Sequence, residues 1–527
     1  VPSNPLAPSW LALPDDVNAL DASVWSRGAA RAESGEITIA GVGATELADR
    51  FGTPLYVVDE DDVRSRARGI RASFDREFAR VGSTVKVYYA GKAFLSTQVA
   101  DWMIRDGLNI DVCSGGELAV ALAAGAPPER LGLHGNNKSV AEIDRAVEVG
   151  LGAFVIDSLV EIERVADAAT RHSRVQAVRL RVNSGVHAST HEYLATARED
   201  QKFGIPLADV VETVAIIRSH PSLRFLGLHS HIGSQIFESD GFREAARRLF
   251  AVHVELLAGG PVPELNLGGG FGIAYTSADE ALPIDTLAAN LADSVAQLAA
   301  EYGVPVPVIA IEPGRSIVGP STTTLYTVGT IKDVLVTDAP VESAEPTGFS
   351  AAGASTSSAT GSPSVPEPVE GRGASTGSAT GVGSATGSGS ATGSVRKYVS
   401  VDGGMSDNIR PALYAANYSA RIANRTSTAD AALVRVAGKH CESGDIVVHA
   451  DYLPGDVRPG DLLGVPATGA YGWVMASNYN YLARPPVVAV RDGVARVLVR
   501  GETEHDLLGR DAGLEDPSMD NSMKDNA

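Results

Sequence analysis

The chain has 527 residues, of which 44% are hydrophobic and 20% charged, and a formal net charge of -20. That charge excludes non-specific nucleic-acid binding, which needs a basic surface, and no apolar run approaches the roughly 18 residues of a membrane span. Two cysteines, Cys113 and Cys441, form no disulfide framework and suit a reducing cytoplasm, while the opening "VPSNPLAPSW" lacks the basic and apolar regions of a secretory signal.

This length exceeds one ordinary domain and leaves room for a barrel of roughly 250 residues. Residues 1–55 are expected to form the first part of a β-rich domain. From 56 to 320 short apolar runs alternate with amphipathic segments. The runs "VKVYYA", "LNIDVC", "LGLH", "AFVID", "AVRLRVN", "LRFLGLHSH", "PELNLGGG" and "PVIAIEPG" have the length and continuous apolarity of buried parallel strands. Between them, "STQVADWMIRDG", "GELAVALAAG", "VAEIDRAVEVG", "DGFREAARRLFAVHVELLAGG" and "DTLAANLADSVAQLAAEYG" carry helical spacing. The alternation predicts an α/β fold with a closed (β/α)8 TIM-type barrel.

Residues 338–395, with a recurring "SATG", are too poor in large apolar groups to offset their ordering entropy and are expected to be a disordered insertion. On either side, 321–337 and 396–505 hold strand candidates such as "YVSVDGG", "ALVRVAGK", "DIVVHADY" and "DLLGVPATGAY". They predict that the β-rich domain is completed by the C-terminal part of the chain. Residues 506–527 are expected to be a flexible tail.

Active sites of such barrels lie at the C-terminal ends of the strands. Here the strands run out into Lys92, Asp111 with Cys113, His134, Asp157, Asn183, His229 with His231, Gly268 to Gly270, and Glu312. A lysine is seldom buried without a partner or a chemical task, and burial makes its amine a better nucleophile. Lys92 is therefore expected to be a buried catalytic amine. Loops after the seventh and eighth strands often bind phosphate, and these carry "NLGGGFG" and "EPGR", offering backbone N–H groups and Arg315. An amine, a phosphate cradle and a carboxylate at one barrel mouth suit pyridoxal 5'-phosphate (PLP). Lys92 would form the Schiff base and Glu312 would keep the pyridine nitrogen protonated. His231 could stack on the ring and Ser234 reach the phosphate, though spacing alone fits either histidine equally well as a satisfied core residue. On the same grounds Cys441 reads as a buried structural thiol and Arg410 as a surface arginine. No metal site is expected.

The segments "YYAGKAF", "DVCSGGEL", "LHGNNKS", "DQKFGI", "GLHSHIGSQI", "NLGGGFG", "EPGRSIVGP", "VDGGMSDNIRPALY", "GKHCESGD" and "ATGAYGWVMASNYN" occur in the order found in the diaminopimelate decarboxylase family. These are PLP-dependent decarboxylases with an alanine-racemase-like barrel, and the resemblance spans nearly the whole chain outside the insertion and the ends. It implies that Lys92 carries the cofactor, that His231 stacks on its ring, and that Glu312 faces its nitrogen. Asp111, Ser234, Gly268, Gly269, Gly270, Gly314 and Arg315 would complete its surroundings. Cys441 and Tyr471 would reach the cofactor of a partner subunit, giving a homodimer with composite sites in which Cys441 protonates the carbanion left by carbon dioxide. Arg315, Arg410, Tyr414 and Tyr471 would bind substrate, with Glu442 on its distal ammonium. The implied reaction is decarboxylation of meso-2,6-diaminopimelate to L-lysine, in the cytoplasm, as the last step of lysine biosynthesis. Decarboxylation of ornithine, arginine or carboxynorspermidine is the alternative. These substrates lack the distal carboxylate that Arg410 and Tyr414 would satisfy.

Overall fold

The computed structural model describes residues 4–186, 202–336 and 394–513. All eight expected strands are present: β1 (Val85–Ala90), β2 (Asn109–Val112), β3 (Leu131–Leu133), β4 (Ala153–Ile156), β5 (Gln176–Asn183), β6 (Leu223–His229), β7 (Glu264–Asn266) and β8 (Val308–Ile311). Each pairs in parallel with its neighbours, and β8 returns to β1 through Ile309↔Val85, so the barrel closes. Their side chains are almost wholly buried because helices cover the outside of the barrel.

The helical ring consists of α1 (Glu60–Arg80), α2 (Thr97–Arg105), α3 (Gly115–Ala123), α4 (Val140–Val149), α5 (Leu159–Arg171), α6 (Val210–Ser219), α7 (Asp240–Leu257) and α8 (Ile284–Tyr302). Serine caps start several of them: Ser96, Ser114 and Ser139 each accept the N–H of the third helical residue. The helix after β8 is only Arg315–Val318. The vacated place in the ring is taken by α1, which packs on α8 and is tied to it by Arg76–Asp285 and Arg80–Asp293 ion pairs.

Inside the lower half of the barrel the Arg179 side chain is fully buried. Its Nη2 donates to Glu264 Oε2 at 2.8 Å and to the Tyr88 hydroxyl at 2.9 Å, while Lys86 pairs with Glu264 from below. A buried charge without such partners would be strongly destabilising.

The second domain is a sheet in the order Ile446–Pro454, Ala431–Ala437, Ser394–Val401, Thr322–Val336, Leu55–Asp59, Val487–Arg491, Val494–Val499. Leu55–Asp59 therefore lies in this sheet, between strands from the C-terminal half, and the barrel side begins with α1. Val24, Trp25, Ile37 and Leu47 share one core with Leu325, Val399, Val436 and Leu463, so both ends of the chain build this domain. The flanks of the expected insertion pair as an antiparallel hairpin whose last register is Val336↔Ser394. Ser394 and Val395, expected in the insertion, belong to this hairpin strand. The rest of the insertion, and the tail beyond 513, lie outside the described residues, as do Asp200 and Gln201 of "DQKFGI". A short helix, Glu504–Leu508, capped by Thr503, runs across the expected start of the tail at residue 506. Among the described residues no helix is long and apolar enough to cross a membrane.

Candidate active site

The C-terminal ends of the strands open into a cavity of about 670 Å³ whose lining includes Lys92, His231, Ser234, Arg315, Arg410, Tyr414 and Tyr471. A narrow recess continues inward past Gly270 and Gly314 to Glu312. Most of the expected site residues thus converge on one space.

Lys92 sits in a single helical turn, Gly91–Ala93, directly after β1. Contrary to expectation its side chain is exposed to the cavity rather than buried. The strand stops at Ala90, and the turn carries the amine out beyond the packed strand end. The chain can turn here because Gly91 has no Cβ, which would stand 2.9 Å from the Asp111 carbonyl.

Glu312, at the end of β8, is buried at the floor. Its Oε1 accepts from Asn266 Nδ2 at 2.8 Å, and its Oε2 lies 3.3 Å from His229 Nε2. His134 Nε2 stands between two carboxylates, 3.3 Å from Asp111 Oδ1 and 3.4 Å from Glu312 Oε1. Burial pushes the Asp111 carboxyl well above the usual range, and the Glu312 charge adds to this. Burial opposes ionisation of Glu312 as well, but His229 and His134 outweigh it and hold that carboxyl well below the usual range. Burial also lowers the two histidines, each to about 4, so near neutral pH they are uncharged. His231 is pushed down to about 3 by burial and by Lys92, and its ring reaches the cavity as a neutral face.

Three loops meet beside this floor, and glycines permit their approach. A Cβ on Gly269 would lie 2.0 Å from the Glu312 carbonyl, and one on Gly270 2.3 Å from the Gly233 carbonyl. Gly268 and Gly270 also adopt φ of 69° and 112°, which a side chain would strain. Gly314 packs against Ala90 and Ala93. Beside them Arg315 Nη2 donates to Ser234 Oγ at 2.9 Å, Nη1 donates to the Tyr275 hydroxyl, and the guanidinium lies 4.8 Å from the Tyr471 ring centre. Its buried Nε has no partner among the described residues. Glycine loops, a serine hydroxyl, an arginine and an amine fit an aldehyde-bearing phosphate cofactor, and the buried Glu312 carboxylate suits a protonated nitrogen on such a group. His134, His229 and Glu312 also offer ligand atoms within 4.8 Å of one another; Glu312 is engaged there by Asn266 and His229, and the His134 ring packs edge-on against that of His229.

Arg410 is buried, contrary to the surface position that it would have on composition alone. It donates to the Tyr418 hydroxyl at 2.5 Å, and its guanidinium lies 4.5 Å from the Tyr275 ring centre. Tyr414 follows one helical turn later and is exposed at the rim. Two expected site residues do not join them: Cys441 and Glu442 are exposed on another loop and do not line this cavity. Cys441 is thus not the buried thiol that its residue type alone suggested. Tyr471, expected to act across an interface, instead lines the cavity of its own chain, where its N–H donates to the Ala93 carbonyl at 3.0 Å.

Sequence reasoning passed over Asn266, Tyr275, Gln235 and Trp10. The first was visible as the opening residue of "NLGGGFG". The others line the wall through loop and N-terminal geometry for which no local pattern exists.

Residues 61–319 match the pyridoxal binding domain of the pyridoxal-dependent decarboxylases, and residues 375–469 match the C-terminal sheet domain of the same enzymes. The chain is 47% identical over 503 residues to a diaminopimelate decarboxylase of Mycobacterium leprae, covering 94% of this chain and 93% of that one. It is 40% identical over 483 residues to that of Bacillus subtilis, covering 91% and 96%. Among solved structures, the diaminopimelate decarboxylase of M. jannaschii superposes with a TM-score of 0.76 at 27% identity, covering 94% of this chain and 99% of that one. The same enzyme in co-complex with L-lysine gives 0.75 at 27% identity, with the same coverage. Barrel, sheet domain and cavity therefore have one common origin, and the chain belongs to the diaminopimelate decarboxylases among the pyridoxal-dependent decarboxylases.

Proposed function

We propose that the chain removes one carboxylate from meso-2,6-diaminopimelate, giving L-lysine and carbon dioxide, with PLP held between Lys92, Glu312 and the glycine loops. The observation that carries the substrate choice is Arg410, buried in the cavity wall yet facing the same space as Lys92. Sequestering a guanidinium in this way suits a carboxylate ligand. Diaminopimelate keeps a second amino-acid end, and Arg410, Arg315 and Tyr414 lie where its carboxylate can be held away from the reacting end.

When bound, PLP supplies the electron sink for the charge left as carbon dioxide departs. The chain's own groups do the rest. The Lys92 amine, exposed to the cavity, would hold the cofactor through its aldehyde. Glu312, held below the usual carboxylate range beside His229 and His134 and bonded by Asn266, would favour a proton on the cofactor's ring nitrogen. His231, neutral, would stack on the ring without adding a competing charge. Arg315 and Ser234 anchor the anionic end. The proton that replaces carbon dioxide is assigned to the Cys441 thiol, and the distal ammonium to Glu442. Since both lie outside the cavity of their own chain, this reading requires a homodimer in which each chain lends its Cys441 loop to the other. A cytoplasmic location suits the two unpaired cysteines.

The test is carbon dioxide release from PLP-loaded protein offered meso-diaminopimelate, L-ornithine, L-arginine and carboxynorspermidine in parallel. Release from diaminopimelate with L-lysine as product is expected. Preferential turnover of a substrate without a distal carboxylate would remove Arg410 from its assigned role.

A further inference from the structure

Two loops of the sheet domain carry Arg410 with Tyr414 and Cys441 with Glu442, to which roles are proposed above. One runs from 402 to Arg410 and on to Tyr414, and the other, 438–445, carries Cys441 and Glu442. One buried carboxylate receives backbone N–H groups from both. Asp445 Oδ1 accepts from Met405 N at 2.6 Å, and Asp445 Oδ2 accepts from His440 N at 2.7 Å. The residue is 2% exposed. Each loop has a glycine where the carboxylate passes: a Cβ on Gly404 would stand 2.5 Å from Asp445 Oδ1, and one on Gly438 2.2 Å from Oδ2. The Lys439 N–H completes the junction by donating to the Gly403 carbonyl at 2.9 Å.

His440, directly before Cys441, reinforces the same junction. Its Nε2 accepts from Ser406 N at 3.3 Å, and its Nδ1 lies 3.0 Å from Asn480 Oδ1. With Nε2 an acceptor, the ring proton belongs on Nδ1, facing that amide oxygen. The ring stacks on Tyr479 at 5.1 Å between centres and 19° between planes.

We infer that Asp445 is a positioning residue that locks the Arg410 loop to the Cys441 loop, so that the carboxylate-binding and proton-donating groups keep one fixed geometry. This rests on the roles proposed above for Arg410, Cys441 and Glu442. The chemistry calls for a carboxyl group, because two N–H donors approach its two oxygens and a side-chain amide offers only one oxygen there. Asparagine has one oxygen and would point its amide N–H at one of the donors, releasing one loop while preserving volume. A displacement of about 1 Å in a reacting group is enough to cost about 10²-fold in rate.

The experiment is Asp445→Asn in the full-length, PLP-loaded protein, read by kcat and KM with meso-diaminopimelate, melting temperature, and site-resolved iodoacetamide labelling of Cys441 against Cys113. The inference expects kcat to fall about 10²-fold and KM to rise, with melting nearly unchanged and labelling altered several-fold at Cys441 only. Unchanged turnover and labelling would overturn it, and so would a general loss of stability with both cysteines labelled faster. Should the variant not fold, hydrogen exchange on the wild-type chain decides. Slow, matched exchange of the Met405 and His440 amides is expected, and exchange of either at the rate of exposed Ser443 would overturn the inference. The labelling and exchange readouts do not depend on the substrate, so they stand even if diaminopimelate is not turned over.

Discussion

Asn266 Nδ2 donates to Glu312 Oε1 at 2.8 Å, and the same side chain accepts the Gly268 N–H through Oδ1, also at 2.8 Å. One buried amide therefore ties the carboxylate at the cavity floor to the start of the glycine loop. A hydrogen bond to a buried charged group is worth about 1.5–3 kcal/mol. Asn266→Ala is expected to weaken PLP binding by about 10- to 100-fold, the equivalent of that energy. Equilibrium dialysis against PLP checks this, and unaltered affinity would show that the tie has no influence on the cofactor.

The substrate-selecting role proposed for Arg410 is tested by comparing two substrates. Arg410→Met should reduce kcat/KM for meso-diaminopimelate by about 10²-fold, through loss of a charge-assisted pair. Any residual turnover of L-ornithine, which has no distal carboxylate, should be unaffected. Equal losses on both substrates would mean that the arginine supports the wall through Tyr418 and Tyr275 rather than contacting substrate.

Cys441 is assigned a proton transfer, for which positioned acids and bases contribute about 10²–10⁴-fold. Cys441→Ala is expected to lower kcat within that range and leave PLP affinity intact. Mixing it with Lys92→Ala chains tests the shared site. Recovery of up to about one quarter of the wild-type activity is expected from hybrid dimers, and none if each chain is self-sufficient.

Asp407 offers a test by pH. Burial is the main cause that pushes its carboxyl up to about 7, while Tyr326 donates to one oxygen and Gly404 N to the other, the latter at 2.6 Å. Between the unfolded value of about 3.9 and about 7 the folded chain holds a proton that the unfolded chain releases. Stability from this group is therefore present at low pH and lost as pH rises through that window. Asp407→Asn removes the dependence. Its melting temperature relative to wild type should climb from pH 4 to pH 7, and a flat difference would show that Asp407 is ionised throughout.

The barrel was legible because its strands are short, apolar and regularly spaced, and because polar groups such as Lys92 and Glu312 follow them at the end where this fold places chemistry. The sheet domain was legible only as a set of strands. Its order depends on pairing Leu55–Asp59 with Thr322–Val336 and Val487–Arg491, contacts too distant in sequence to leave a local pattern. For the same reason the boundary near residue 55 reads more clearly from pairing than from composition. The exposure of Lys92 was misread because apolarity of "VKVYYA" reports on the strand, whereas the lysine lies one turn beyond it. Arg410 and Asp445 owe their roles to the meeting of two loops, which residue type alone does not announce.

The most direct measurement of the central claim is product analysis with wild type and Lys92→Ala, each reconstituted with PLP and given meso-diaminopimelate. The account predicts L-lysine and carbon dioxide in equal amounts from wild type, and a loss on the order of 10⁴-fold or more in the variant, as for removal of an essential nucleophile. Steady carbon dioxide release by Lys92→Ala at the wild-type rate would contradict it.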